Sequence, residues 1–347
     1  MRGGRALAVL ALLMAGLGAT AGRAEVEVLT FAELAGWEDD NHLAALKVFR
    51  QTCDQLKDPE WRPICDLAAQ AETTEAAARS FFEMFFKPVV IGNPPALFTG
   101  YYEPELEGSP VRSGNFIYPL YAKPKDHVEG QQYYSRDQID QQGILAGRGL
   151  EIAWLNDPVD VYFLQIQGSG RIRMPNGDVV RVGYAGKNGH PYRSIGQALV
   201  DRGLMTLSEA SAPAIRAWVK RNGSYGLDLL SHNPSYVFFR KLRDVAANKG
   251  PIGAMGRSIT TMRSVAIDPA FVPLGAPVWV EKDGDKPLRR LMVAQDTGGA
   301  IKGAQRADIF YGTGWDAGEA AGMIKDPGRL VVLLPIDRAY AALLPED

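Results

Sequence analysis

The C-terminal quarter of the chain constrains its fold most. From Gly256 onward, five short apolar runs (Arg263–Ile267, Pro277–Glu281, Arg290–Gln295, Asp308–Tyr311 and Leu330–Leu334) are separated by corners rich in glycine and proline, with one helical stretch at Trp315–Ile324. Strands so short and so closely spaced satisfy their edges best by closing on one another, which predicts a small closed β-barrel.

Two other regions precede it. In the first, Leu43, Leu46, Phe49, Cys53 and Leu56 follow helical spacing, and a second helix is predicted from Thr74 to Phe86, stopped by Pro88. The middle, from about Glu103 to Ser235, reads as strands and turns: Phe116–Tyr121, Val159–Gln167, and Arg171–Val182 around the turn Pro175-Asn176-Gly177-Asp178. A helix opening near Pro191 and closing at Gly203 interrupts it, and Ala214–Val219 suggests another. The expected class is mainly β with helices, α+β, with a helical preface. At 347 residues, 46% apolar and 22% charged, the chain is long enough for two domains.

Residues 1–24 differ from the rest. Arg2 and Arg5 precede the apolar run Ala6–Ala19, and Gly22-Arg23-Ala24 places small residues where a signal peptidase reads them. The run is shorter than the ~20 residues that a bilayer core requires. A signal peptide cleaved near Ala24 and an exported, periplasmic mature protein are therefore expected. No cysteine follows the run, so no lipid anchor is encoded. Removing the segment takes away Arg2, Arg5 and Arg23 and no acid, which moves the formal charge from −2 to −5. A mildly acidic chain without a basic block has no electrostatic footprint for nucleic acid. Cys53 and Cys65 flank a corner containing Pro59 and Pro63, and in an oxidising compartment they form a disulfide candidate worth roughly 3 kcal/mol. The alternative is two packed free thiols. His42, His127, His190 and His232 are scattered and no metal-type spacing occurs, so neither a metal nor a cofactor is expected.

The densest chemical motif is Asp296-Thr297-Gly298-Gly299-Ala300-Ile301-Lys302-Gly303, followed by Arg306-Ala307-Asp308-Ile309-Phe310-Tyr311. It puts one carboxylate at a glycine bend after an apolar strand and a second at the start of the next strand. Adjacent strands of one barrel can hold both at the same mouth. Asp296 admits two readings, a turn carboxylate bonded to the Gly298 or Gly299 amide, or an electrostatic neighbour of a catalytic acid. Asp-Thr-Gly also suggests an aspartic protease, but two such aspartates must share a proton and this chain has one Asp-Thr-Gly, so only a symmetric dimer would serve. A non-catalytic binding barrel is a further alternative, disfavoured by the presence of both acids.

Four further blocks occur in order: Phe98-Thr99-Gly100-Tyr101-Tyr102-Glu103-Pro104, Gln165-Ile166-Gln167-Gly168-Ser169-Gly170, Tyr184-Ala185-Gly186-Lys187-Asn188-Gly189-His190-Pro191-Tyr192-Arg193-Ser194-Ile195-Gly196, and Asn233-Pro234-Ser235-Tyr236-Val237-Phe238-Phe239. Over residues 98–334 the chain resembles the MltA-type lytic transglycosylases, and its C-terminal part resembles the 3D domain, whose three aspartates match Asp268, Asp296 and Asp308. The resemblance implies a double-psi β-barrel catalytic domain, here residues 25–103 and 236–347 with the helical preface, and an inserted β-rich domain, here 104–235. It implies a carbon–oxygen lyase, a peptidoglycan lytic exotransglycosylase that cuts between N-acetylmuramic acid and N-acetylglucosamine and leaves 1,6-anhydromuramyl ends. Well-known members carry a lipid-anchoring cysteine that this chain lacks.

By the same resemblance Asp308 is the acid/base, which spacing alone does not choose over Asp296. Asp296 is expected to give electrostatic support. The Tyr184–Arg193 segment, with Tyr184, Lys187, Asn188, His190, Tyr192 and Arg193, has the hydrogen-bonding composition for sugar hydroxyls, acetamido groups or a carboxylate. Tyr101, Tyr102, Gln165, Gln167 and Lys302 are further candidate substrate contacts, with Tyr311 beside them. The expected partners are peptidoglycan glycan strands, with other cell-wall enzymes as candidates, and the expected state is a monomer.

Overall fold

A computed structural model describes residues 25–344. The expected signal peptide lies outside the described residues. The chain starts with β1 (Val26–Val28) and then folds three helices, α1 (His42–Thr52), α2 (Trp61–Gln70) and α3 (Glu75–Phe85). Asn41 and Thr74 cap α1 and α3 by accepting from the Ala44 and Ala77 amides. Helix α3 stops before the expected Pro88. Phe86 turns extended into a cluster with Phe49, Trp61, Phe81 and Phe82, and Pro88 sits within strand β2 (Phe86–Ile91). Cys53 and Cys65 are bridged, with Cα atoms 5.5 Å apart, tying the end of α1 to α2. The proline corner brings two helices together, and α2 starts within it, at Trp61.

Next comes β3 (Ala96–Glu103), and then the chain leaves the barrel. Strands β4 (Glu105–Ser109), β5 (Tyr118–Tyr121), β6 (Glu151–Leu155), β7 (Ser169–Arg173), β8 (Val179–Lys187) and β9 (Val237–Leu242) make a second sheet, ordered β5-β6-β4-β7-β8-β9. Because β9 pairs with β8, this sheet continues past the expected boundary at residue 235. Five helices accompany it: α4 (Arg136–Asp140), α5 (Pro158–Gln167), α6 (Ile195–Asp201), α7 (Ala212–Arg221) and α8 (Gly223–Leu230).

The expected strand at Val159–Gln167 is therefore a helix. Asp157 caps it, Pro158 takes its first turn and Gly168 ends it in the left-handed region at φ 77°. Its run from Val161 to Gln165 is buried all round, and such a segment shows no periodicity to separate helix from strand. Helix α6 begins later than Pro191, capped by Ser194.

The chain then returns for β10 (Ser264–Ile267), β11 (Pro277–Lys282), β12 (Leu288–Thr297), β13 (Arg306–Thr313), α9 (Trp315–Gly322), β14 (Lys325–Pro335) and α10 (Ile336–Ala341). All five predicted runs are strands, and Trp315 opens the predicted helix. In order, β14-β11-β12-β10-β13-β3 closes through pairing of β14 with β3, giving a six-stranded barrel to which β2 and β1 add outside β14. The pairs β10–β12 and β13–β3 are parallel. Phe98, Val265, Ile267, Trp279, Leu291, Val293, Ala307, Ile309 and Val331 join its fully buried core, which is continuous with the helical preface. The expected barrel with an inserted β-rich unit is the architecture found.

Replacing Cys53 and Cys65 together with serine is expected to destabilise the protein by roughly 3 kcal/mol. The bridge joins preface helices and touches none of the groups described below. Thermal denaturation of the double variant should show a lowered midpoint, and an unchanged midpoint would refute a stabilising role.

Candidate active site

Three neighbouring strands place two carboxyl groups in one row. Ala266 of β10 is in register with Asp296 of β12 on one side and with Asp308 of β13 on the other, and Asp308 is in turn in register with Thr99 of β3. Residues opposite one another on a sheet point to the same face. That face is turned away from the main barrel core, which takes the alternate residues Ala307, Ile309, Val265 and Phe98.

A small apolar cluster of Tyr101, Ile259, Ala266, Ile301 and Phe310 surrounds the row. It desolvates both acids, and desolvation penalises the charged form. Burial is the largest influence on Asp296 and raises it to about 6. The Thr297 amide, the Tyr101 hydroxyl and the Ala254 amide pull the other way, and the negative charge of Asp308 adds to the rise. Burial likewise pushes Asp308 above the ordinary aspartate value, opposed by a bond from Thr99 and by the positive charge of Arg306.

The two acids differ in how they are held. Oδ1 of Asp296 accepts from the Ala254 and Thr297 amides at 3.0 and 2.9 Å, and Oδ2 accepts from the Tyr101 hydroxyl at 3.0 Å. These donors replace the Gly298 or Gly299 amide considered from the sequence. Asp308 accepts one bond at Oδ1, from the Thr99 hydroxyl at 2.6 Å, and Arg306 donates to that hydroxyl at 2.8 Å. Among the described residues none donates to Oδ2 of Asp308, which leaves this oxygen for an incoming group.

The third aspartate has a structural task. Asp268 is buried, and although burial raises it, the Gly303 and Ala270 amides and the Lys302 ammonium outweigh that and hold it below the usual carboxylate range. It thereby pins the turn carrying Ile301 over the row.

Comparison with known proteins shows the family. The family description "MltA specific insert domain" matches residues 97–240, and "3D domain" matches 263–334. Membrane-bound lytic murein transglycosylase A of Escherichia coli K12 is 38% identical over 248 residues, 68% of this chain and 65% of that protein. The match thus spans just under two thirds of that relative's length. A crystal structure of membrane-bound lytic murein transglycosylase from Agrobacterium tumefaciens superposes with a TM-score of 0.83 at 31% identity, covering 91% of this chain and 99% of that one. The Escherichia coli MltA structure with bound chitohexaose gives a TM-score of 0.69 at 29% identity, covering 90% and 92%. The chain belongs to the membrane-bound lytic murein transglycosylase A family.

Within this family member, the candidate contacts named from the sequence separate into groups. Tyr101 is buried and serves Asp296. The Tyr102 ring lies on Gly318 and its amide donates to Oε1 of Gln167 at 3.0 Å, so this pair joins barrel to insert. Gln165 and Asn188 are not placed to meet substrate. Gln165 is buried and accepts from Arg136, while Asn188 is wholly buried, donates to the Tyr134 and Pro234 carbonyls and accepts from the Tyr236 amide. The amide-rich composition of their blocks therefore reflects internal fastening in part.

Nε2 of His190 lies 2.8 Å from the Tyr133 carbonyl. Tyr184, Lys187, Tyr192 and Arg193 are exposed, as is Lys302 beyond its 3.4 Å contact with Asp268. Tyr311 points to the barrel core. Thr99, Arg306 and the Ala254 amide were missed from the sequence. Strand alternation from Tyr101 would have found Thr99, whereas the Ala254 amide is brought in only by tertiary folding.

A raised carboxyl holds its proton more tightly in the folded than in the unfolded chain. Between its ordinary value of 3.8 and about 6, Asp296 therefore makes stability fall as pH rises, and above that it carries the full cost of burial. Asparagine keeps the amide-accepting oxygen, and the Tyr101 hydroxyl can turn to accept from its NH₂. Asp296→Asn should thus melt higher than wild type at about pH 7.5, with the gain shrinking toward about pH 4. A gain that grew on acidification would contradict this electrostatic picture.

Proposed function

We propose that this chain is a periplasmic lytic transglycosylase that cleaves the bond between N-acetylmuramic acid and N-acetylglucosamine in peptidoglycan, with Asp308 as its acid/base. The observation that carries the reading is one desolvated carboxyl group with a single donor and a free oxygen, beside a second carboxyl whose oxygens are both engaged. The names of the relatives and the chitohexaose bound to the Escherichia coli protein support a glycan substrate. None of the described helices is long and apolar enough to cross a membrane.

A solvated aspartic acid would be protonated only ~0.1% of the time at pH 7. The apolar surround of Asp308 raises that fraction, as an acid catalyst requires. Asp308 gives its proton to the bridging oxygen, and the bond from that oxygen to the muramyl C1 breaks. The carboxylate so formed takes the proton of the muramyl C6 hydroxyl while O6 closes on C1, giving the 1,6-anhydro ring. The proton count returns to its start and no water is consumed. Prepositioned intramolecular nucleophiles reach effective molarities of ~10⁵ M or more, so the sugar's own hydroxyl outcompetes water.

An inverting hydrolase is the rival chemistry, because two strand spacings separate the acids at Cα by roughly 9–10 Å, enough room for a water. It would need Asp296 as the general base. Its Oδ1 is filled by two amides and its Oδ2 holds the Tyr101 hydroxyl, so this carboxylate offers a water less room than Asp308 does.

Asp308→Asn should lower turnover of purified sacculi by several orders of magnitude while leaving glycan binding intact, and lowering the pH should rescue nothing. Mass spectrometry should find muropeptides lighter by one water than lysozyme products, with no label taken up from H₂¹⁸O. Reducing-end muramic acid, or near-native turnover by Asp308→Asn, would overturn the assignment. Asp296→Asn should be milder. Repulsion between like charges acts on both partners, so removing one lowers the pKa of the other and moves the alkaline limb of the activity profile to lower pH. An unmoved limb would remove Asp296 from the mechanism.

A further inference from the structure

Residues 99, 101 and 103 share one side of β3, and each has a different long-range partner. Thr99 donates to Asp308 and Tyr101 to Asp296, while Glu103 reaches into the inserted domain. Glu103 is fully buried at the point where the chain leaves the barrel. Its Oε2 accepts from Nε of Arg171 at 2.9 Å and from the Thr313 hydroxyl at 2.9 Å, and its Oε1 accepts from Nη2 and Nε of Arg181 at 2.8 and 3.2 Å.

Arg171 and Arg181 lie on β7 and β8 of the insert, and Thr313 ends β13, the strand of Asp308. Both guanidinium groups also reach the loop that returns to the barrel. Arg171 and Arg181 donate to the Lys249 carbonyl at 3.2 and 3.0 Å, and Arg181 donates to the Ala246 carbonyl at 2.9 Å. One carboxylate thus joins the outgoing connection, the returning connection, the acid-bearing strand and the inserted sheet. Buried charge pairs with several hydrogen bonds resist separation because each lost bond leaves a desolvated charge.

We propose that Glu103 is a positioning residue that clamps the inserted domain in the orientation required to hold a glycan across both domains. The proposal rests on the glycan reading above. A ligand that spans two bodies binds only when they are correctly placed, and its apparent affinity falls by the fraction of molecules so placed. Once it is bound, the pair has been brought together and the chemistry at Asp308 proceeds as before. Loosening the clamp should therefore raise KM and leave kcat nearly alone.

Glu103→Gln keeps the shape and the Thr313 bond but removes the charge. Its affinity for chitohexaose should fall roughly tenfold, matching a competent fraction near one tenth. KM on sacculi should rise in parallel, with kcat and the pH profile unchanged and a broader interdomain distance in solution scattering. Unchanged affinity would overturn the proposal. So would a fall in kcat with a moved pH profile, which would mean that Glu103 acts on the acids. Should Glu103→Gln fail to fold, Arg171→Gln, at the half-open edge of the network, must show the same KM rise in smaller measure, and its absence is equally decisive. Failure of the wild type to bind chitohexaose would count against the glycan reading itself. A wild type that binds it but yields hydrolysed products would remove the transglycosylase chemistry and leave the clamp standing.

Discussion

The parallel pairing of β3 with β13 is the constraint on which the site depends. These strands lie on opposite sides of the insertion, and their register sets Thr99 against Asp308 and Phe310 against Tyr101. Parallel neighbours need a long crossover, and here it runs through the inserted domain and three further barrel strands. Without this register Asp308 would lose the Thr99 hydroxyl that donates to it, and the apolar wall of Tyr101 and Phe310 would open to water. Gly100 permits the arrangement on the other side of β3, because a side chain there would strike the backbone of Ala321 in α9 at 2.7 Å.

A rigid sheet and a covering of loops do different work in this arrangement. The row from Asp296 through Ala266 and Asp308 to Thr99 is fixed by ladder bonds on four strands. Desolvation comes from Tyr101, Ala266 and Phe310 on those strands and from Ile259 and Ile301 outside them, and Ala254 brings an amide to Asp296. Gly253 lets that segment approach, since an added Cβ would stand 2.8 Å from the Gln295 carbonyl oxygen and 3.4 Å from the Asp296 carboxyl carbon. Position is therefore set by the barrel and proton affinity by the barrel together with what lies over it, so substitutions in the covering segments should change pKa more readily than geometry.

The barrel was legible in the sequence because its strands alternate with glycine and proline corners that speak locally. The insert was less so. Val161–Gln165 is apolar on every side, and only its flanks, Asp157-Pro158 and Gly168, marked it as a helix. The sheet of the insert runs past residue 235 because β9 follows a polar loop yet pairs with β8, and sheet membership is a long-range property. Likewise Gln165 and Asn188 look like ligand-binding amides, although their bonds run to Arg136 and to backbone groups far away in sequence. Both acids of the row were visible, but the difference between them was not, since it lies in the number of donors that folding brings to each.

Asp268, Asp296 and Asp308 make the same point from one side-chain type. Asp268 meets two backbone amides and an ammonium group, which more than offset its burial, so it stays ionised and holds the turn of Ile301. Asp296 meets two amides and a hydroxyl, yet its surround is apolar and Asp308 is near, so its value still rises to about 6. Among the described residues Asp308 has Thr99 as its one donor, itself held by Arg306, and keeps an oxygen open. An acid that must give up a proton and then take one back needs partial desolvation, few competing donors and a free lone pair. Asp268 lacks all three conditions save burial, Asp296 lacks the second, and Asp308 satisfies each. The sorting follows from neighbours on five separate segments of the chain, which is why a motif of three aspartates can name the group but only the fold can rank its members.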